Sequence, residues 1–207
     1  FLPEKLHDNI DDFYSFIEDK HPDILDLALG MKLHSNDIGA DKYSHIYKGG
    51  YAYIKGKQIL PELRRLVKKD NDKKISDLSH NFMEASLDIL LNQANLDTLD
   101  LYKKSLSEVD LGKISSIISE YSKLDKDLVF KTIQILFSVV KPENLASEKA
   151  IANNVIPEFI KLSFKQKVNK EDILKIIQKS VEISKDDYEK LFSEMIQLMK
   201  KDFPESN

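Results

Sequence analysis

Hydrophobic residues recur along most of the chain at the three- and four-residue spacing that places them on one face of an α-helix. In the first such segment, from Pro3 to about Lys20, the apolar positions include Leu6, Ile10 and Phe13. No stretch shows the strict alternation of apolar and polar residues that is typical of a half-buried β-strand. The pattern therefore predicts an all-α protein, a multi-helix bundle of roughly eight to ten helices.

Turn and capping residues divide the rest of the pattern into helices. The residue before a proline disfavours the helical region, so Pro22 ends the first helix, and Pro61 should kink or restart a helix from Tyr51 to Val67. Asn169 and Ser184 look like capping residues at helix starts, each with an acid three positions later. The other predicted helices are Leu25–His34, Ser76–Asn92, Leu99–Leu106, Leu111–Ser122, Lys126–Val140, Ala146–Lys167 with a kink at Pro157, Lys170–Ile183 and Asp186–Phe203.

Composition indicates a folded globular protein. The chain has 207 residues, 42% of them hydrophobic, enough to bury a core in one domain or two small ones. Its net charge of -4, with the two signs interspersed, argues against a general nucleic-acid or anionic-membrane surface. No apolar run reaches the length of a membrane span and no signal-peptide pattern is present, so we expect a soluble protein of unknown compartment. The chain begins at Phe1 without Met, which suggests that it has been cut or processed.

Histidines and acids are paired in one part of the chain only. Cysteine is absent, so any bound metal would need histidine and carboxylate ligands. Four His–acid pairs stand out in the first 84 residues and none in the other 123. They are His7 with Asp8 or Asp11, His34 with Asp37, Asp41 with His45, and His80 with Glu84. The sequence therefore predicts a metal-binding helical region, 1–97, and an amphipathic scaffold or partner-binding region, 98–207, packed together as one unit.

The stretch from Gly30 to Gly56 differs most from the background. It holds five of the six glycines, four of the eight tyrosines and two of the five histidines. If it formed one continuous helix, with Gly39 as a potential break, four polar residues would share one stripe. These are His34, Asp37, Asp41 and His45. Each pair within the stripe has the spacing to hold an ion, although Asp37 and Asp41 could equally be a cap and a solvated face.

His80 and Glu84 interrupt an apolar stripe on the predicted helix Ser76–Asn92. On a helical wheel they lie beside Leu87 and Leu91, while other polar residues already supply the solvent face. Burying such groups costs several kcal/mol unless something pairs them. Two interpretations follow: a divalent ion held from consecutive turns, or a hydrogen bond between the two side chains.

The order of these residues resembles the all-α zinc-dependent phospholipase C and single-strand nuclease superfamily over about residues 28 to 90. Carried over, His34 and Asp37 match a bridging His/Asp pair, and His45, His80 and Glu84 match the ligands of one zinc, with His7 as an upstream ligand. This chain departs from the family pattern in several ways. The His-to-Asp spacing is one residue shorter, the proline-containing loop and the N-terminal tryptophan are absent, and the gap from His45 to His80 is long.

The resemblance implies a zinc-dependent hydrolase of a phosphodiester, with a small-molecule or lipid substrate, and with Asp37 or Asp41 as ligand or general base. An alternative class is a non-catalytic helical bundle whose C-terminal helices bind a protein partner, the His–acid pairs being core hydrogen bonds. A non-haem iron carrier like the hemerythrins is disfavoured because no histidine follows Glu84.

Overall fold

Helices form nearly all of the protein in a computed structural model that describes residues 9–36, 39–68 and 71–203. No strand occurs within these ranges, which confirms the all-α prediction. The α-helices are α1 Ile10–Lys20, α2 Leu25–His34, α3 Tyr51–Gly56, α4 Leu60–Val67, α5 Asp72–Ala94, α6 Thr98–Ser107, α7 Leu111–Ser122, α8 Lys126–Val139, α9 Glu148–Asn154, α10 Ile156–Phe164, α11 Lys170–Ser184 and α12 Tyr188–Asp202. Between them lie 3-10 helices at Pro22–Ile24, Tyr47–Gly49 and Lys57–Ile59, a π-helix at Lys42–Ile46, and a single α-helical turn at Pro142–Leu145.

The described helices are more numerous than the eight to ten predicted, because two long predicted helices are divided. The 3-10 segment Lys57–Ile59 separates α3 from α4, and Pro61 lies in the first turn of α4. The helix predicted around Pro157 is split at Val155, so that this proline lies in the first turn of α10. Proline is tolerated there because the first N–H groups of a helix have no intrahelical partner.

Capping side chains set several helix starts. Asn169 caps α11 as predicted, its side chain accepting a 2.8 Å hydrogen bond from the Glu171 N–H. The α5 helix begins before the predicted Ser76, because the Asn71 side chain accepts a 3.0 Å hydrogen bond from the Lys74 N–H. The capping role predicted for Ser184 is wrong: this residue is the last of α11, and its buried Oγ lies 3.1 Å from Oγ of Ser86.

The chain forms two compact units. The first comprises 1–51, 110–134 and 191–207, and the second comprises 52–109 and 135–190. Each of the two predicted regions, 1–97 and 98–207, supplies segments to both units. The predicted roles of those regions, metal binding for the first and scaffold or partner binding for the second, stay predictions.

In the first unit, α1 packs against α2 and contacts α7. The ring of Phe13 is fully buried and meets the ring of Tyr121 edge-on at 5.0 Å. An ion pair of 2.7 Å between Lys32 and Asp11 also links α1 to α2. These contacts fix the end of α2, where His34 lies.

The second unit has a large apolar core built around α5, the longest helix. Phe82 and Met83 of α5 are fully buried, and burying each such side chain contributes about 1.5–3 kcal/mol. The α11 helix packs along α5, and small residues permit the close approach at Ser86 and Ser184. No helix in the described part of the chain is long and apolar enough to cross a membrane.

Candidate metal centre

The first unit brings together three of the predicted ligands. His34 is the last residue of α2, Asp41 immediately precedes the π-helix, and His45 lies within it. The His34 Nδ1 atom lies 3.2 Å from Oδ2 of Asp41, and the His45 Nδ1 atom lies 3.9 Å from the same oxygen. Two imidazoles therefore face one carboxylate oxygen.

The three side chains differ in their exposure. Those of Asp41 and His45 are 11% and 18% exposed, whereas that of His34 is 65% exposed. The carboxylate is thus largely shielded from water while one of its two imidazole neighbours lies at the surface.

A sharp turn after α2 places Asp41 beside His34. The helix ends because Ser35 adopts an extended backbone with ψ of 160°. The chain then folds back, and the Gly39 N–H donates a 3.0 Å hydrogen bond to the Ser35 carbonyl oxygen. A Cβ on Gly39 would lie 2.4 Å from the carbonyl oxygen of Leu33, so only glycine fits this approach. The helix therefore ends where the predicted helix Leu25–His34 ends, and the condition of one continuous helix from His34 to His45 is not met.

A second glycine fixes the backbone of His45. Gly50 has φ of +74°, and a Cβ there would lie 2.2 Å from the His45 carbonyl oxygen. Glycine adopts this backbone conformation without the steric cost that other residues carry. Two of the glycines that mark the unusual sequence stretch thus serve to hold the backbone close to the two histidines.

Two predicted site residues, His7 and Asp37, lie outside the described residues. Their roles as metal ligands, and that of Asp37 as a catalytic group, stay predictions.

The predicted pair on α5 belongs to the second unit. The His80 Nε2 atom lies 3.1 Å from Oε1 of Glu84, and its Nδ1 lies 3.1 Å from the Asn81 side-chain oxygen. The ring of Tyr53 stacks on the imidazole with a 4.9 Å centroid distance and an interplanar angle of 16°. The mutual contact anticipated from the helical spacing is therefore present. That these side chains also ligate an ion, and that they converge with His45, stays a prediction.

Sequence reasoning missed a groove in the second unit that α5 lines with three polar residues. Asn81, Glu84 and Asp88 line one side of a cavity of about 280 Å³. Asn81 and Asp88 lie three and four residues from Glu84 along the helix, which puts all three on one side. That shared face was the signal available in the sequence.

Electrostatics distinguishes Asp88 within this groove. Its side chain is exposed at the groove mouth, yet desolvation by the surrounding protein, together with the nearby charge of Glu84, raises the pKa of its carboxyl to about 7. Burial and the charge of Asp88 also raise the pKa of Tyr102, whose hydroxyl donates a 3.0 Å hydrogen bond to the Val140 carbonyl oxygen. The groove thus carries two acidic side chains, of which Glu84 contacts His80.

Comparison with protein-family profiles, curated proteins and solved structures gives no match for the chain. The resemblance to zinc-dependent phospholipases therefore rests on the sequence pattern alone. The side-chain geometry of each unit is the remaining guide to function.

Proposed function

We propose that the protein binds a divalent cation, zinc being the best match, through His34, Asp41 and His45, and acts as a metal-dependent hydrolase of a phosphodiester. The observation that supports the metal centre most directly is the placement of two imidazole Nδ1 atoms, 3.2 and 3.9 Å away, around one oxygen of a buried carboxylate.

The donor set fits zinc. Two histidines and one carboxylate occur as ligands of catalytic zinc, leaving the fourth position for water or substrate. With metal–ligand bonds of about 2.0–2.2 Å, the ligand atoms of a tetrahedral site lie roughly 3.3 Å apart. The separation of His34 from Asp41 already matches this value, and that of His45 needs to close by roughly half an ångström. The ligand atoms of the three residues do not all lie within 4.8 Å of one another, so the two imidazoles would also have to approach each other before they could share one ion.

The proposed chemistry assigns a role to each side chain. When bound, zinc would supply a water of lowered pKa and polarise a phosphoryl oxygen. His34 and His45 would hold the cation as neutral imidazoles, and one oxygen of Asp41 would do the same as a carboxylate. The second Asp41 oxygen is free to orient the attacking water or accept its proton. The choice of a phosphodiester, from a small molecule or a lipid, derives from the sequence resemblance.

A non-catalytic interaction module is the second candidate. Large apolar side chains are exposed on the second unit, among them Leu96, Leu101 and Leu162, and exposed apolar groups are common at protein–protein contacts. In this case the histidine–carboxylate contacts would be structural hydrogen bonds, and no metal would be needed.

Metal content separates the two candidates. The purified protein is loaded with zinc, dialysed, and analysed for bound metal, alongside Asp41→Asn and a matched control, His21→Ala. His21 is suited to this purpose because its Nε2 also faces a carboxylate oxygen, that of Glu120 at 3.3 Å, in the same unit. We expect zinc in the wild type and the control, and at least tenfold weaker binding in Asp41→Asn.

Hydrolysis of bis(p-nitrophenyl) phosphate is then measured on the same three proteins. Activity that follows the zinc content supports the hydrolase. Zinc binding without hydrolysis would reject the catalytic part of the proposal. Absence of zinc from the wild type would reject the metal centre and favour the interaction module.

A further inference from the structure

The groove along α5 combines an apolar floor with an acidic wall. Its apolar lining consists of Ala85, Val140, Leu145, Ile151, Val155, Ile156 and Phe159. Ile151 and Ile156 are almost fully buried and form part of the core, so the floor is held in place by the packing of the second unit. On the opposite wall, Glu84 and Asp88 lie one helical turn apart.

The charge in this groove is not balanced by its own lining. The described residues that line it include two acids and no lysine or arginine. Glu84 contacts His80, but no hydrogen bond or ion pair in the described part of the chain involves the Asp88 carboxylate. Two carboxylates at this spacing repel each other, and partial burial strengthens the repulsion. A cation placed between them would relieve it.

We propose that this groove binds a small primary amine with an apolar chain, its ammonium group between Asp88 and Glu84 and its chain on the apolar floor. An ammonium group offers three donors, and charge-assisted hydrogen bonds to carboxylates are stronger than neutral ones. The apolar chain gains by displacing water from the floor.

The dimensions and chemistry of the groove select this ligand class. At about 280 Å³ the cavity lies at the lower limit of small-molecule sites, which favours a compact ligand over an extended polymer. A bare metal ion would use the two carboxylates but gain nothing from the floor. An anion would meet repulsion from both acids. The inference concerns the second unit and does not depend on the proposed metal centre of the first.

Hexylamine is the probe, titrated calorimetrically into the whole protein at pH 8. The matched variants are Asp88→Asn, which removes the charge and keeps the shape, and Asp77→Asn, which removes an exposed acid elsewhere on α5. We expect saturable binding to the wild type, unchanged binding to Asp77→Asn, and at least tenfold weaker binding to Asp88→Asn. Hexanol should bind more weakly than hexylamine and equally to all three proteins, and ethylamine should bind more weakly than hexylamine.

Three results would overturn the inference. Equal affinities of the wild type and Asp88→Asn for hexylamine would show that the carboxylate does not recognise the ammonium group. Displacement of hexylamine by equimolar zinc would assign Glu84 and Asp88 to a metal site. Binding of a lysine-containing peptide without binding of hexylamine would assign the groove to a protein partner. Circular dichroism of each variant, compared with the wild type, verifies that the charge change leaves the fold intact.

Discussion

The two units contain His–acid pairs of equal sequence spacing in different surroundings. Asp41 and His45 in the first unit, and His80 and Glu84 in the second, are each four residues apart. On the regular helix α5, both ring nitrogens of His80 lie near an oxygen, and a tyrosine ring covers its face. In the first unit, a chain reversal brings His34 to the same carboxylate as His45. Spacing alone therefore does not distinguish a pair of side chains in mutual contact from a carboxylate that two imidazoles approach.

The first unit contains a reversal of the backbone, and glycine residues make this reversal possible. Gly39 allows the chain to pack against the end of α2, and Gly50 allows it to pack against His45. In the second unit the contact between His80 and Glu84 follows from helical geometry, although a glycine also permits a close approach there: a Cβ on Gly56 would lie 2.6 Å from Oγ of Ser79. The first centre should consequently be sensitive to backbone changes that leave its ligands in place.

The largest expected effect is that of Gly39→Ala. Its new methyl group would lie 2.4 Å from the Leu33 carbonyl oxygen, so the turn must open and Asp41 must move away from His34. We expect a loss of about 1–3 kcal/mol in the free energy of unfolding, as for overpacking, and at least tenfold weaker zinc binding. Urea denaturation and a zinc titration measure the two effects.

Gly30→Ala is the matched control, because a Cβ at this position in α2 meets nothing within 4 Å. Alanine there should stabilise the helix by up to about 1 kcal/mol and leave zinc binding unchanged. Equal behaviour of the two variants would show that close approach at Gly39 does not hold the centre.

His80→Ala tests whether the pair on α5 is self-satisfied. Loss of the imidazole removes its 3.1 Å contact with Glu84 and its stacking on Tyr53, and should cost about 1 kcal/mol, the same with zinc and with chelator. Thermal denaturation under both conditions gives the comparison. A loss that grows when zinc is present would instead support His80 as the zinc ligand implied by the family resemblance.

Asp88→Asn should change the pH dependence of stability. Burial and Glu84 raise the folded-state pKa of Asp88 to about 7, above the ordinary value of 3.8. Between these values the folded state holds more protons than the unfolded state, so the wild type loses stability as pH rises from about 4 through 7. The variant should be more stable than the wild type at pH 8 and similar to it at pH 4. Melting temperatures at both pH values test this, and a benefit at pH 4 alone would contradict the assignment.

The smallest expected change in stability comes from a substitution that can be made in either unit. Lys123 in the first unit and Lys165 in the second end their helices with left-handed backbones, φ of 58° and 53°. Because L-residues are strained in this region, Lys→Gly at either site should stabilise the protein by up to about 1 kcal/mol. Chemical denaturation measures both variants, and destabilisation by either substitution would contradict the strain argument.

The sequence allowed the helical class and many helix positions to be predicted, because those depend on local spacing and caps such as Asn169. The contact between His80 and Glu84 was predictable for the same reason. The meeting of His34 and Asp41 across a chain reversal was not, since the steric need for Gly39 arises only when the chain folds back onto the backbone of Leu33 to Ser35. The groove beside Asp88 was also missed, because its opposite wall comes from residues more than 50 positions away.

The central claim is that Asp41, held between two imidazoles, binds a divalent cation. Thermal denaturation of the wild type, Asp41→Asn and His21→Ala, each with saturating zinc and with chelator, tests it most directly. A cation at 1,000 times its Kd stabilises the protein that binds it by about 4 kcal/mol. The account predicts a zinc-dependent rise in melting temperature for the wild type and His21→Ala, and none for Asp41→Asn. An equal rise in all three proteins, or no rise in the wild type, would contradict it.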